Sequence, residues 1–353
     1  MARPKKNVSA PAPLSDNAAR EGFPHDWTDI CGHVEIIRRL RALAAAERLP
    51  HALLFCGMEG VGKRRTARVL ARTLLCTGGG DAPCGHCEAC RTMAAGVHPD
   101  YFETAPEVRG KSAAMIRTEA VRDILIAASG APVAGRRRII LIDGADAMNE
   151  TAANRLLKTI EEPTGEVLFI LVTSSYDAIL PTIRSRAVRI AFGALPRSEI
   201  EAELRTRGTE DAAAIAALAD GSLGRAYVLA KEGLSLRDDA LALLTELPRL
   251  GVEDIWARTE ALGARSHAER TAWLSYMQMA LRDLLLLRED GGSEALCHID
   301  QRDELVALLT QMTDADIFSL IEGTRQLSRR FAANVNPALQ AEAFLLRARK
   351  QFT

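Results

Sequence analysis

The chain has 353 residues, 48% hydrophobic and 26% charged. That is enough to fill a core and divide into two or three domains, which excludes a disordered chain and a small disulfide scaffold. Its 45 Lys and Arg against 46 Asp and Glu leave a formal charge of −1, so the surface as a whole is not built to hold nucleic acid, though a local basic face stays open. Apolar runs such as Val167–Val172 reach about six residues, far short of the roughly 18–20 that cross a bilayer, and a transmembrane role is excluded.

In chain order, residues 1–24 carry Pro4, Pro11 and Pro13 with little to bury and read as a flexible tail. They lack the apolar stretch of a secretory signal, so a cytoplasmic location is expected. From Trp27 to Phe192 short apolar runs alternate with helical stretches. Strands are predicted at Ala52–Cys56, Tyr101–Thr104, Arg138–Asp143, Val167–Thr173 and Val188–Phe192. Several are apolar throughout rather than alternating, which suits a parallel sheet covered on both faces by helices. A helix over Asn149–Glu162 places Ala153, Leu156, Leu157 and Ile160 on one stripe and ends before Pro163. Beyond Pro196 only helices are predicted: first Ser198–Arg207, Asp211–Ala219 and Ala226–Glu232, broken at Gly208 and Gly221. Longer ones follow at Ser266–Arg288, Asp303–Thr310, Asp314–Phe331 and Pro337–Lys350, with Gly291-Gly292 between the first two. Trp256, Trp273, Phe318, Phe331 and Phe344 lie along apolar faces and read chiefly as core, with faces such as Leu281–Leu287 open to subunit contact.

Three motifs carry chemistry. Gly57-Met58-Glu59-Gly60-Val61-Gly62-Lys63 follows a predicted strand and opens a predicted helix, the context of a phosphate-binding loop. In such a loop, backbone N–H groups and the helix N-terminus face phosphate oxygens, Gly60 and Gly62 permit close approach, and Lys63 reaches the β and γ oxygens. ATP or ADP is the candidate ligand. The next residue is Arg64, where a Ser or Thr hydroxyl normally meets Mg²⁺, and a guanidinium has no lone pair to offer a metal. Thr66 comes too late in the chain to substitute.

The run Arg138–Asp143 ends in a carboxylate at the edge of the sheet where ligands bind, so Asp143 is a candidate for holding Mg²⁺. Where a water-activating acid is expected next, the chain has Gly144, and no general base stands there. The bland reading of Asp143-Gly144 is a turn after a strand. The third motif is Cys76, Cys84, Cys87 and Cys90, with two Cys-x2-Cys steps that let sulfurs converge on one ion. Zinc and an iron–sulfur cluster both accept four thiolates. His86 and His98 are weaker candidates, and Cys31, Cys56 and Cys297 read as buried small residues.

Together Arg48–Gly57, the cysteine cluster, Leu141–Met148, Leu156–Pro163, Ile183–Arg186 and Asn336–Leu346 resemble the AAA+ subunits of the bacterial DNA polymerase III clamp loader, over nearly the whole chain. The resemblance implies an α/β AAA+ parallel-sheet domain (25–194, with a zinc-binding insertion at 76–90), a small helical lid (195–243) and an all-α C-terminal collar domain (244–353). It favours zinc over iron–sulfur. It implies a hetero-pentamer with delta and gamma/tau subunits, and through that complex the sliding clamp and primer–template DNA. The family holds motor subunits that hydrolyse ATP and a related subunit that has lost the hydrolytic groups. Arg64, Gly144 and an end at Thr353 without a long extension point to the latter.

In the same family a Ser-Arg-Cys triplet lends an arginine to ATP held by the adjacent subunit; here it is Ser185-Arg186-Ala187, with the arginine kept. Such a guanidinium is worth about 10³–10⁵ in rate, or roughly 4–7 kcal/mol of barrier. The alternative for Arg186 is a surface ion pair. Thr173 matches the sensor-1 place, with ordinary strand-end capping as the alternative, and Arg225 in Gly221–Ala226 matches sensor 2. Competing functions are a gamma/tau-like ATPase that compensates for Arg64 and Gly144, and a zinc-dependent nucleic-acid-binding module. Arg136-Arg137-Arg138 reads as a solvated strand entry or a face toward DNA.

Overall fold

The computed structural model describes residues 22–107, 114–163, 165–289, 295–332 and 336–350. The expected tail therefore lies almost wholly outside the described residues, as does Gly291-Gly292. The chain forms two compact units, Met1–Glu199 with Ser222–Gly224, and Ile200–Gly221 with Arg225–Thr353.

The first unit is built on five parallel strands, β1 (Ala52–Cys56), β2 (Tyr101–Thr104), β3 (Arg138–Ile142), β4 (Val167–Thr173) and β5 (Val188–Ala191), in the order β2-β3-β4-β1-β5. All five match predicted runs; β3 and β5 stop one residue sooner, because Asp143 and Phe192 already turn away into loops. Alternate residues of the same strands feed two separate cores. Leu53, Phe55, Ile139, Leu141, Leu168 and Ile170 pack with Leu40, Val69 and Leu70 on one face. Leu54, Ile140, Ile142, Phe169 and Leu171 pack with Val121, Ile124, Leu156, Ile160 and Ile183 on the other. Two helical layers on a period-two backbone thus explain strands apolar at every position. β5, paired only with β1, is the exception, with Val188, Arg189 and Ala191 exposed and Ile190 buried.

Asn149 caps the helix Glu150–Glu161 by accepting from Ala152 N–H at 2.8 Å. Its buried stripe is Ala152, Ala153, Leu156 and Ile160, with Leu157 half-buried. The basic triplet is tied down by carboxylates: Arg136 to Glu47 at 2.7 Å, Arg137 to Glu166 at 3.7 Å, Arg138 to Asp100 at 3.7 Å. This agrees with the strand-entry reading.

The described part of the second unit holds no strand. In it Val252–Ala264 packs on Pro337–Arg349, and Ser235–Glu246 and Asp314–Ala332 pack on His267–Glu289. Gly263 makes one of these approaches possible, since a Cβ there would sit 2.8 Å from that of Ala338. Asp283, fully buried, accepts from Cys297 N–H at 3.0 Å and His298 N–H at 2.8 Å, and its oxygen lies 2.8 Å from His298 Nδ1. Trp273, Phe331 and Phe344 are core, whereas Trp256 and Phe318 are exposed, at 53% and 60%. Cys56 and Cys297 are buried as expected; Cys31 is half-buried. No described helix is long and apolar enough to cross a membrane.

Candidate functional site

The carboxyl ends of β1, β3 and β4 bring the phosphate loop, Asp143 and Thr173 to one edge of the sheet, where parallel α/β folds bind ligands. Gly57, Gly60 and Gly62 all take positive φ, at 152°, 77° and 101°, a region side chains rarely enter. Gly60 is also sterically required: a Cβ would lie 2.2 Å from Ser222 Oγ and 3.1 Å from Gly224 Cα. Ser222 Oγ donates to Glu59 O and Gly224 N–H to Gly60 O, both at 2.8 Å, so Ser222–Gly224 closes over the loop. Lys63, at the start of the helix Lys63–Leu75, donates from Nζ to Gly57 O at 2.7 Å and Met58 O at 2.6 Å. The ammonium is thus satisfied by its own loop, and burial pushes its pKa down.

Arg64 is held by two carboxylates. Its Nε donates to Glu103 Oε1 at 2.8 Å, and its NH1 lies 3.6 Å from Asp143 Oδ2. Glu103 also accepts from Arg68 Nε and NH2 at 3.0 and 2.9 Å and from the Tyr101 hydroxyl at 2.7 Å. The Glu103 side chain is 1% exposed and that of Arg68 0%, so this is a buried network in which both carboxylate oxygens are saturated. Burial pushes the Asp143 carboxyl up, against the opposing pull of Arg64. Sequence reasoning missed Glu103, Arg68 and Tyr101. The available signal was a charged residue in the middle of a short strand beside an otherwise apolar sheet.

These residues do not fit Mg²⁺. The position after the lysine carries a cation, and Thr66, fully buried, donates its hydroxyl to Gly62 O at 2.9 Å. Gly144 has φ +67°, and a Cβ there would lie 2.7 Å from Pro106 Cγ, so a glutamate has no room where the general base would stand. Thr173 is buried: its hydroxyl donates to Asp146 Oδ1 at 2.8 Å, accepts from Ser175 N–H at 3.0 Å and lies 2.9 Å from Ser175 O. Arg225 belongs to the second unit, where its NH2 lies 3.6 Å from Met279 Sδ.

Arg186 follows the short helix Pro181–Arg184. Its guanidinium pairs with Glu161, and NH1 donates to Thr182 O at 2.9 Å and Ser185 Oγ at 3.1 Å. Its side chain stays 37% exposed. The neighbouring arginines are held differently, with Arg184 and Arg189 both stacked on Tyr176.

The four cysteines converge, with Sγ atoms all within 4.8 Å of one another. Backbone N–H groups of Cys84, Cys87 and Cys90 donate to Cys76, Cys84 and Cys87 sulfurs at 3.3–3.4 Å. Gly78 leaves space for the cluster, since a Cβ there would lie 2.9 Å from Cys84 Cβ. Burial pushes the Cys87 thiol up, but donors from Thr77 and the Cys90 N–H outweigh it and bring it down to about 5; burial dominates at Cys90, which rises to about 12. Four converging thiols with N–H···S support suit a closed tetrahedral metal site. His86 and His98 make local contacts instead, to Cys84 O at 2.8 Å and Asp100 N–H at 3.1 Å.

The family described as DNA polymerase III, delta subunit, matches residues 32–196. The delta' subunit of DNA polymerase III from Pseudomonas aeruginosa is 41% identical over 162 residues, 46% of this chain and 48% of that protein. The tau/gamma subunit from Haemophilus influenzae is 34% identical over 291 residues, 80% of this chain and 38% of that protein. The chain thus spans half or less of the length of these curated relatives. A solved gamma subunit-related protein from Thermotoga maritima aligns over 89% of this chain and 99% of its own, at 18% identity and a TM-score of 0.46. Over these parts of its length the chain is similar to the delta' and tau/gamma subunits of DNA polymerase III, in agreement with the resemblance read from the motifs.

Proposed function

We propose that this chain is a clamp-loader subunit of the delta' type, a stator that does not hydrolyse ATP at its own loop. The observation that carries this reading is the pairing of a retained phosphate loop with an arginine and a blocked glycine where the metal ligand and the general base would be. A transition state for phosphoryl transfer needs positive charge bridging the phosphates and an oriented water; residues 64 and 144 supply neither in the usual way. The division into AAA+ domain, lid (195–243) and collar (244–353), a cytoplasmic location, and assembly with delta and gamma/tau subunits around a sliding clamp on primed DNA follow from the same reading. Trp256 and Phe318 on the second unit are exposed apolar surface of the kind such assembly uses.

Arg186 is proposed to act on the neighbour's ATP. Its partly exposed guanidinium, held by Glu161, Thr182 O and Ser185 Oγ at the surface of the first unit, is not stacked on Tyr176 as Arg184 and Arg189 are. The role requires it to exchange Glu161 for phosphate oxygens at low cost, and a partly exposed ion pair of this kind is weak. Zinc, when bound at the four thiolates, supplies a cross-link that orders Cys76–Cys90; with no open coordination position it has no part in hydrolysis.

Steady-state ATPase measurement on the isolated chain tests the stator reading. Turnover of about 1 s⁻¹ or faster lies in the ordinary enzyme range and would instead favour the gamma/tau-like motor that the 34% identity to tau/gamma keeps in view. For Arg186, R186A is expected to leave assembly intact and lower the ATPase of the reconstituted complex; an unchanged rate rejects the trans role.

A further inference from the structure

We propose that the guanidinium of Arg64 stands in for the divalent cation at the phosphate loop, so that this chain takes a nucleoside di- or triphosphate in its magnesium-free form. The inference rests on the reading of residues 57–63 as a loop that still accepts phosphates, and goes beyond it by naming the state of the ligand.

Arg64 occupies the first turn of the helix Lys63–Leu75, one residue after the phosphate-reaching lysine. In this loop architecture that position faces the cation. The guanidinium is not a loose surface group. Its side chain is 19% exposed and anchored through Nε on Glu103, which is itself held by Arg68 and the Tyr101 hydroxyl. So positioned, its NH1 meets Asp143, the carboxylate that ends β3 and would otherwise support a metal ion. One positive charge is therefore built into the place where a cation would be recruited from solution.

The charge balance points the same way. Arg64 and Arg68 are matched by Glu103 and Asp143. A divalent cation beside Asp143 would add two positive charges next to a fixed guanidinium, and the only nearby hydroxyl of the helix start, on Thr66, is committed to Gly62 O. A nucleotide without metal adds only negative charge. It would enter beside Lys63 and Arg64, and a guanidinium is well suited to phosphate oxygens because its donors lie in one plane. Lys63 would exchange its bonds to Gly57 O and Met58 O for phosphate oxygens. The outcome is a ligand held but not cut, since the metal that bridges β and γ oxygens in hydrolysing sites has no place.

Calorimetric titration of the full-length chain with ADP, once in excess EDTA and once in excess Mg²⁺, tests this. The expected result is binding in EDTA that Mg²⁺ leaves within about threefold or weakens, a difference below roughly 0.7 kcal/mol. Tightening by Mg²⁺ beyond that, or no heat of binding in either condition, overturns the proposal. R64T then reports on the residue: it is expected to bind ADP more tightly with Mg²⁺ than without, and indifference to Mg²⁺ in a folded R64T chain overturns the role of Arg64. Should R64T fail to fold, R64K keeps the charge and is expected to stay insensitive to Mg²⁺, while acquired dependence on Mg²⁺ counts against the proposal. The stator reading fails on a different measurement, ATP turnover, so the two are separable.

Discussion

Replacing Glu103 by Ala removes a buried carboxylate shared by two guanidiniums. Glu103 accepts four hydrogen bonds, one from Arg64, two from Arg68 and one from Tyr101. Arg68, with no exposed side-chain surface, would keep a favourable contact with the Phe23 ring, 4.7 Å from its guanidinium carbon, but lose its carboxylate. Breaking a buried ion pair from one side costs about 3–5 kcal/mol. Arg64 is partly solvated and adds little to that figure. Because 1.4 kcal/mol is tenfold in an equilibrium constant, amide hydrogen exchange in β2, β3 and the helix Lys63–Leu75 of E103A should accelerate by about 10²–10³-fold or more. Exchange of the helix Val252–Ala264, in the other unit, serves as the internal reference. An acceleration below about tenfold would refute the assignment of this network as the internal support of the site.

Tyr101 gives a pH-dependent counterpart. Burial first, and then the neighbouring Glu103 carboxylate, raise its pKa well above the ordinary tyrosine value, so its contribution is complete below the unfolded-state pKa of about 10 and is lost as pH rises beyond it. Unfolding free energy measured between pH 9 and 11 should fall with pH, and Y101F should flatten that limb while losing about 1.5–3 kcal/mol at neutral pH for the bond to a charged acceptor; equal slopes in both proteins would count against it. G144E should not restore hydrolysis: positive φ and the Pro106 contact make it less stable by about 1–3 kcal/mol, read by urea unfolding alongside the ATPase assay. Zinc content of the purified chain should be one ion, and C84S should lose it and expose Cys76–Cys90 to proteolysis; a metal-free wild-type chain rejects the site.

Much of the site was legible in the sequence because its signals are local. Three glycines and a lysine at loop spacing describe backbone geometry that few other residues tolerate, and the structure puts Gly57, Gly60 and Gly62 at positive φ as the motif requires. The Cys-x2-Cys steps likewise bring sulfurs together over three residues of chain. What Arg64 does was legible only in the negative, as a side chain with no lone pair for a metal. Its partners Glu103 and Asp143 are 39 and 79 residues away along the chain, and no periodicity links such positions. Trp256 and Phe318 show the same limit from the opposite side, since apolar spacing marks a helical face but does not say that another element covers it.

The strands and most of the helices beyond Pro196 were fixed by local pattern: continuous apolar runs of strand length, 3.6-residue stripes, and glycine or proline at the breaks. Those features depend on residues within a few positions of one another, so the order of amino acids suffices. The pairing of Arg64 with Asp143, the saturation of Glu103, the collision that keeps a side chain off residue 144 and the grip of Glu161 on Arg186 came from folding. Each is a contact between segments that the parallel sheet or its covering helices bring together, and its energy depends on burial and distance, which exist only once the chain has closed around its core.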